Sequence, residues 1–162
     1  MKELIEISDY LKKAGKTLSI AESCTGGLVS SYFTDISGAS NFILKNFVTY
    51  AESAKIEFLD VSNETLEEFG VISEKTAYEM ALGLIKKQGA DFGISTTGIL
   101  GPDDIEFKGK VLPKGLVFIG VSSKDKVKVF KYISDKNSRQ EIKKDIVEVA
   151  IKYFNNFLKE TE

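Results

Sequence analysis

The chain has 162 residues, 43% hydrophobic and 28% charged, with a formal net charge of −2. That is enough to bury a sizeable core, too apolar for disorder, and without the positive field that draws a surface to nucleic acid. With no histidine and one cysteine, the sequence excludes Ser–His and Cys–His catalytic pairs, histidine or thiolate metal clusters, and an internal disulfide. No apolar run approaches the ~20 residues that span a bilayer, and the charged, amphipathic start is no signal peptide. The expected setting is the reducing cytoplasm, with no membrane or nucleic-acid partner.

In chain order, Leu4, Ile5, Ile7, Tyr10 and Leu11 recur at helical spacing over 3–14, and Gly15 ends the helix. Thr17–Ala21 reads as a short buried strand that breaks into Glu22-Ser23-Cys24-Thr25-Gly26-Gly27, followed by a helical run ending near Gly38. Asn41–Tyr50 is β-branched and aromatic, hence a strand. Short helices are predicted at about 52–59 and 64–69, the second capped by Ser62-Asn63, and a longer one runs from Ser73-Glu74 to Gln88. Phe92–Thr96 is a strand and Gly98–Pro113 a long loop. Leu116–Ser122 and Val127–Ile133 form an antiparallel hairpin, and Ser138 caps a last helix to about Lys159. Five strands interleaved with helices predict one α/β domain: a three-layer α/β/α sandwich around a mixed, mainly parallel five-stranded sheet.

Ligands of open α/β sheets sit beyond the carboxyl ends of the strands, where three segments carry chemistry. In the 22–27 segment, free N–H groups at the next helix start can bind a phosphate or an oxyanion; equally, Ser23 or Thr25 can simply cap that helix. It holds neither G-x-x-x-x-G-K-[ST] nor G-x-G-x-x-G, so the ATPase and dinucleotide fingerprints are absent. Thr49–Lys55 aims Tyr50 and Lys55 at a common cleft, although most lysines are solvated, and a lysine base must be shifted down from ~10.4 by burial. Thr96-Thr97-Gly98-Ile99-Leu100-Gly101-Pro102 allows close backbone approach to a ligand, or makes an ordinary turn. Cys24 reads as a buried, inert thiol, and Asp103-Asp104-Glu106 as a charged loop tip rather than a metal site. Among 22 basic residues only Arg139 is arginine. Its planar fork suits bidentate phosphate binding, against the alternative of an exposed helix residue.

AESCTGG, FVTYAESAK, GVISEKTAYEMA, TTGILGP, GLVFIGV and SRQEIKK, in this order from about residue 5 to 158, resemble the CinA C-terminal domain family. The two-domain members carry a further N-terminal domain not encoded here, so the chain is similar to the stand-alone, PncC-type nicotinamide mononucleotide deamidases. The resemblance implies the same three-layer fold and hydrolysis of the carboxamide to nicotinate mononucleotide and ammonia, a step in NAD recycling without a cofactor. The family's serine, lysine and tyrosine fall on Ser23, Lys55 and Tyr50. In this reading Lys55 is the base for Ser23, and Tyr50 holds Lys55 or relays its proton. Backbone N–H groups near Thr25, Gly26 and Gly27 stabilise the oxyanion, while Thr97, Gly98 and Gly101 line the nucleotide and Arg139 pairs with its phosphate. A small-molecule nucleotide and further copies of the chain are the expected partners. The alternatives are an amidase for another small amide, or a non-catalytic nucleotide- or partner-binding module with Lys55 solvated.

Two segments depart from the family pattern. Leu100 stands where alanine is common, and Asp103–Val111 replaces a glycine-rich stretch; Leu112-Pro113-Lys114-Gly115 then replaces Lys-Pro-Val-Gly. The expectation is that substrate range is set in the 99–114 loop.

Overall fold

The computed structural model describes residues 2–161. Its elements are α1 (Lys2–Ala14), β1 (Leu18–Glu22), α2 (Leu28–Thr34), β2 (Ile43–Val48), α3 (Glu52–Leu59), α4 (Asn63–Phe69), α5 (Glu74–Lys86), β3 (Phe92–Gly98), β4 (Ile105–Phe107), β5 (Lys110–Leu112), β6 (Leu116–Ser123), β7 (Val127–Ile133) and α6 (Arg139–Thr161). The main sheet runs β2-β1-β3-β6-β7. β1 is parallel to β2 and β3, whereas β6 is antiparallel to β3 and β7. Four strands therefore point one way and only β6 the other, which is the mixed, mainly parallel α/β sheet expected.

Side-chain size decides how the layers meet. Along β1 and β3 the large residues Leu18, Ile20, Phe92 and Ile94 face a core shared with Ile7 and Leu11 of α1, Phe33 of α2, and Ile151 and Phe154 of α6. The opposite face of the sheet is built from small residues, so α5 approaches closely. Ser95 Oγ and Ser122 Oγ donate to the Ala77 and Ala81 carbonyls at 2.8 Å, and a Cβ at Gly120 would lie 2.6 Å from the Ala77 carbonyl oxygen. The same helix leans on α3 through Gly83, where a Cβ would collide with the Leu59 carbonyl at 2.1 Å. Two hydrophobic layers thus bury β1 completely and leave its carboxyl end as the place where chemistry emerges.

Several element boundaries differ from the expected ones. β1 extends one residue, through Glu22, and β3 two, through Gly98. The predicted strand start at Asn41 is instead a 3-10 turn over Ala39–Asn41, closed by the Phe42 N–H on the Ala39 carbonyl at 3.1 Å. Most informatively, the 98–113 loop contains the small β4–β5 hairpin, whose turn residues Lys108 and Gly109 both have positive φ (49° and 79°). That matches the two-residue turn that follows the natural strand twist. Among the described residues, no helix is long and apolar enough to cross a membrane.

Candidate active site

The carboxyl ends of β1, β2 and β3 meet at an elbow. Ser23 directly follows β1 and is tied to β3 by its N–H on the Thr96 carbonyl at 3.0 Å, while its own carbonyl takes the Gly26 N–H at 3.1 Å. Gly26 and Gly27 both adopt positive φ (60° and 100°), which turns the chain sharply into α2 and leaves Ser23 on the convex side.

Beneath the elbow lies Glu22, fully buried. Its Oε1 accepts from Thr25 Oγ1 at 2.6 Å and the Val29 N–H at 2.8 Å; its Oε2 accepts from the Ser30 N–H at 3.0 Å and Ser30 Oγ at 2.7 Å. Thr25 Oγ1 also meets Thr96 Oγ1 at 2.8 Å. This corrects two expectations. The N–H groups at the start of α2 serve the protein's own carboxylate rather than a ligand anion, and the Thr25 side chain is a buried structural tie. Among the described residues, the elbow N–H groups of Cys24, Thr25 and Gly27 have no internal acceptor, whereas that of Gly26 is committed to the turn.

Lys55 comes from the first turn of α3 and is only 1% exposed. Its Nζ donates to the Thr49 carbonyl at 2.7 Å and the Tyr50 carbonyl at 3.1 Å, and lies 3.1 Å from Ser23 Oγ. Burial pushes its pKa below the ordinary lysine value; the Glu52 carboxylate opposes that shift without cancelling it. The geometry serves both protonation states. As an ammonium, all three N–H bonds have acceptors; as a neutral amine, two N–H bonds stay on the carbonyls and the lone pair faces the Ser23 hydroxyl. A proton can cross from Ser23 to Lys55 without either group moving.

Tyr50 reaches Lys55 through its main-chain carbonyl, not its phenol, because the ring is 64% exposed at the mouth of the site. The expected proton relay through the phenol is therefore not what this arrangement provides. Cys24 is buried against Leu100, Val117, Ile119, Ile142 and Ile146, and burial pushes its thiol up to about 12, so it holds its proton at neutral pH.

A cavity of about 390 Å³ opens above Ser23 and Lys55, and Tyr50, Thr97, Gly98, Gly101 and Arg139 also line it. Thr25, Gly26 and Gly27 are not on its wall. Thr97 spends its hydroxyl on the Val71 carbonyl at 2.7 Å, and Gly98 has no room for a side chain, since a Cβ would sit 2.5 Å from the Leu116 carbonyl. Arg139 opens α6 beside a capping box, in which Ser138 Oγ and N–H donate to Glu141 Oε2 at 2.8 and 3.0 Å and the Glu141 N–H returns to Ser138 Oγ at 3.2 Å. Its Nη1 donates to the Gly101 carbonyl, which leaves the rest of an exposed guanidinium at the rim. Leu100 fills the space under the roof, in the same buried cluster as Cys24. Val71, Ile72, Ile99 and Ile105 complete an apolar wall; Ile99 and Ile105 belong to the 99–114 loop expected to set substrate range, whereas Val71 and Ile72 were not assigned to the site. Glu22 was also missed, although an acid ending an otherwise apolar buried strand was the available signal.

The family model described as the CinA C-terminal domain matches residues 2–158. A nicotinamide-nucleotide amidohydrolase PncC of Enterobacter agglomerans is 45% identical over 121 residues, covering 75% of this chain and 72% of its own length. A putative competence-damage inducible protein of Bacillus pumilus is 40% identical over 156 residues, 96% of this chain but 36% of that relative. The chain thus spans about a third of the length of several curated relatives that it matches. Among solved structures, the competence/damage inducible protein CihA of Agrobacterium tumefaciens superposes with a TM-score of 0.86 at 33% identity, covering 94% of this chain and 91% of that one.

Proposed function

Since the chain belongs to the CinA C-terminal domain family, we propose that it is an amidohydrolase that converts nicotinamide mononucleotide to nicotinate mononucleotide and ammonia, a pyridine-nucleotide recycling step. The reading is carried by the contact between a serine on a strand-end elbow and a buried lysine 3.1 Å away, in a chain without histidine. The similar PncC protein of Enterobacter agglomerans, named as a nicotinamide-nucleotide amidohydrolase, supplies the substrate class.

In this mechanism neutral Lys55 removes the Ser23 hydroxyl proton as Oγ attacks the carboxamide carbon. The oxyanion that forms is met by the Cys24 N–H, which has no internal acceptor and belongs to a residue on the cavity wall, such a donor being worth roughly 3–4 kcal/mol. Lys55 then returns the proton to the amide nitrogen, the C–N bond breaks, and ammonia leaves an ester on Ser23. Water, deprotonated by Lys55, attacks that ester; the acid departs as the carboxylate and Ser23 regains its proton. Burial of Nζ lowers the Lys55 pKa and so favours the neutral amine that this mechanism uses. Arg139 holds the phosphate by bidentate hydrogen bonds from the guanidinium edge not engaged by Gly101.

The test is ammonia release from nicotinamide mononucleotide without added metal, comparing the wild type with Ser23→Ala and Lys55→Ala. Loss in both supports the reading. Activity surviving in Ser23→Ala excludes the covalent route, and a folded but inactive wild type points to another amide or to a binding role.

A further inference from the structure

The β4–β5 hairpin is mostly exposed and docked at a few points, and its place over the cavity has a consequence for substrate choice. Ile105 at its base lines the cavity and remains 44% exposed. An apolar side chain left half-bare on a cavity wall is surface that a ligand covers favourably. The hairpin tip rests on the end of α4: Phe107 lies over Gly70, where a Cβ would come within 3.2 Å of its ring, and Lys108 Nζ reaches the Glu68 carbonyl at 3.4 Å. At the base, Asp104 Oδ1 accepts the Lys114 N–H at 2.7 Å.

Gly70 is itself fixed, its carbonyl accepting from Thr76 Oγ1 at 2.7 Å and Ser73 Oγ at 3.2 Å. The next two residues, Val71 and Ile72, carry apolar side chains to the same cavity. The Phe107–Gly70 contact therefore locks Ile105 and the Val71–Ile72 segment into one frame with a set spacing.

We propose that this frame is the specificity element of the site. Ile105, with Val71 and Ile72, forms a slot for the flat ring of an aromatic carboxamide, so that planar aromatic amides are taken in preference to small aliphatic ones. The proposal rests on the amidohydrolase reading for its substrate and assigns Ile105 as a binding residue and Phe107 as the positioning residue that holds it.

The experiment has two arms. Binding of nicotinamide mononucleotide is measured by calorimetry on the Ser23→Ala protein, alone and with Ile105→Ala, Phe107→Ala or the control Val111→Ala, a hairpin residue 65% exposed and away from the cavity. Turnover of nicotinamide mononucleotide and of propionamide is measured with the same substitutions on active protein. Ile105→Ala and Phe107→Ala are expected to weaken binding about tenfold, from loss of the apolar cover, and Val111→Ala to leave it unchanged. The preference for the aromatic amide should fall by a similar factor, through KM rather than kcat. Unchanged binding and preference in Ile105→Ala overturns the proposal, and because that side chain is already half-exposed, misfolding does not obscure the result. Tight, Ile105-dependent binding without turnover would refute the amidohydrolase reading and leave the slot standing; turnover indifferent to Ile105 would do the reverse.

Discussion

The floor and the roof of the cavity are built on opposite principles. On the floor, Glu22, Ser23, Thr25 and Lys55 are tied to one another, or to β3 and the strand-to-helix connection after β2, by hydrogen bonds that leave no polar atom of Glu22 or Lys55 idle. The roof, residues 99–114, is mostly exposed and held at a few points, the Phe107–Gly70 contact chief among them. A buried polar network is costly if any member is removed, so the floor is poised to fix chemistry. A lightly anchored, largely exposed roof tolerates change and is suited to tune what enters.

The comparison is broken most directly on the floor. Ser23→Ala and Lys55→Arg should each lower kcat by on the order of 10³-fold or more, because a guanidinium cannot give up its proton to serve as base. Steady-state ammonia release checks this, and a Lys55→Arg protein with near-normal kcat would remove the lysine from the mechanism. Glu22→Gln comes next. It sets an amide NH₂ against the Ser30 N–H and hydroxyl, and is expected to destabilise the fold by about 2–3 kcal/mol, visible as a lower Tm. Its kcat should fall more than its KM rises, since the elbow and not the cavity wall is disturbed.

At the rim, Arg139→Ala should raise KM for nicotinamide mononucleotide about tenfold with little change in kcat, and an unchanged KM would take Arg139 out of phosphate recognition. The hairpin control is smallest: Val111→Ala should alter stability by no more than about 0.5 kcal/mol in denaturant titration. An equal loss of kcat from floor and roof substitutions would dissolve the distinction.

How much of this was legible beforehand follows the same division. Periodicity located every helix and main-sheet strand, because apolar spacing and caps such as Ser62, Ser73 and Ser138 are local signals. Ser23 and Lys55 stood out through motif and position. The floor's hydrogen bonds did not, since Glu22 meets Val29 and Ser30 only once the Gly26-Gly27 turn folds α2 back over it, and Thr25 meets Thr96 only once β1 and β3 pair. Tyr50 was read for its phenol because a sequence displays side chains, whereas its contribution to Lys55 is a carbonyl. The hairpin escaped notice because its strands are three residues each and its Lys108-Gly109 turn lacks the usual Asn or Asp.

The central claim is that a buried, neutral Lys55 activates Ser23, and the pH dependence of kcat/KM for ammonia release tests it most directly. The neutral amine is the active form, so the rate should climb as pH rises and level off once Lys55 has lost its proton. Because burial lowers that pKa, the climb should be centred below the ordinary lysine value of ~10.4. A rate that falls as pH rises through the neutral range, or one that begins to rise only near that ordinary value, would contradict the account.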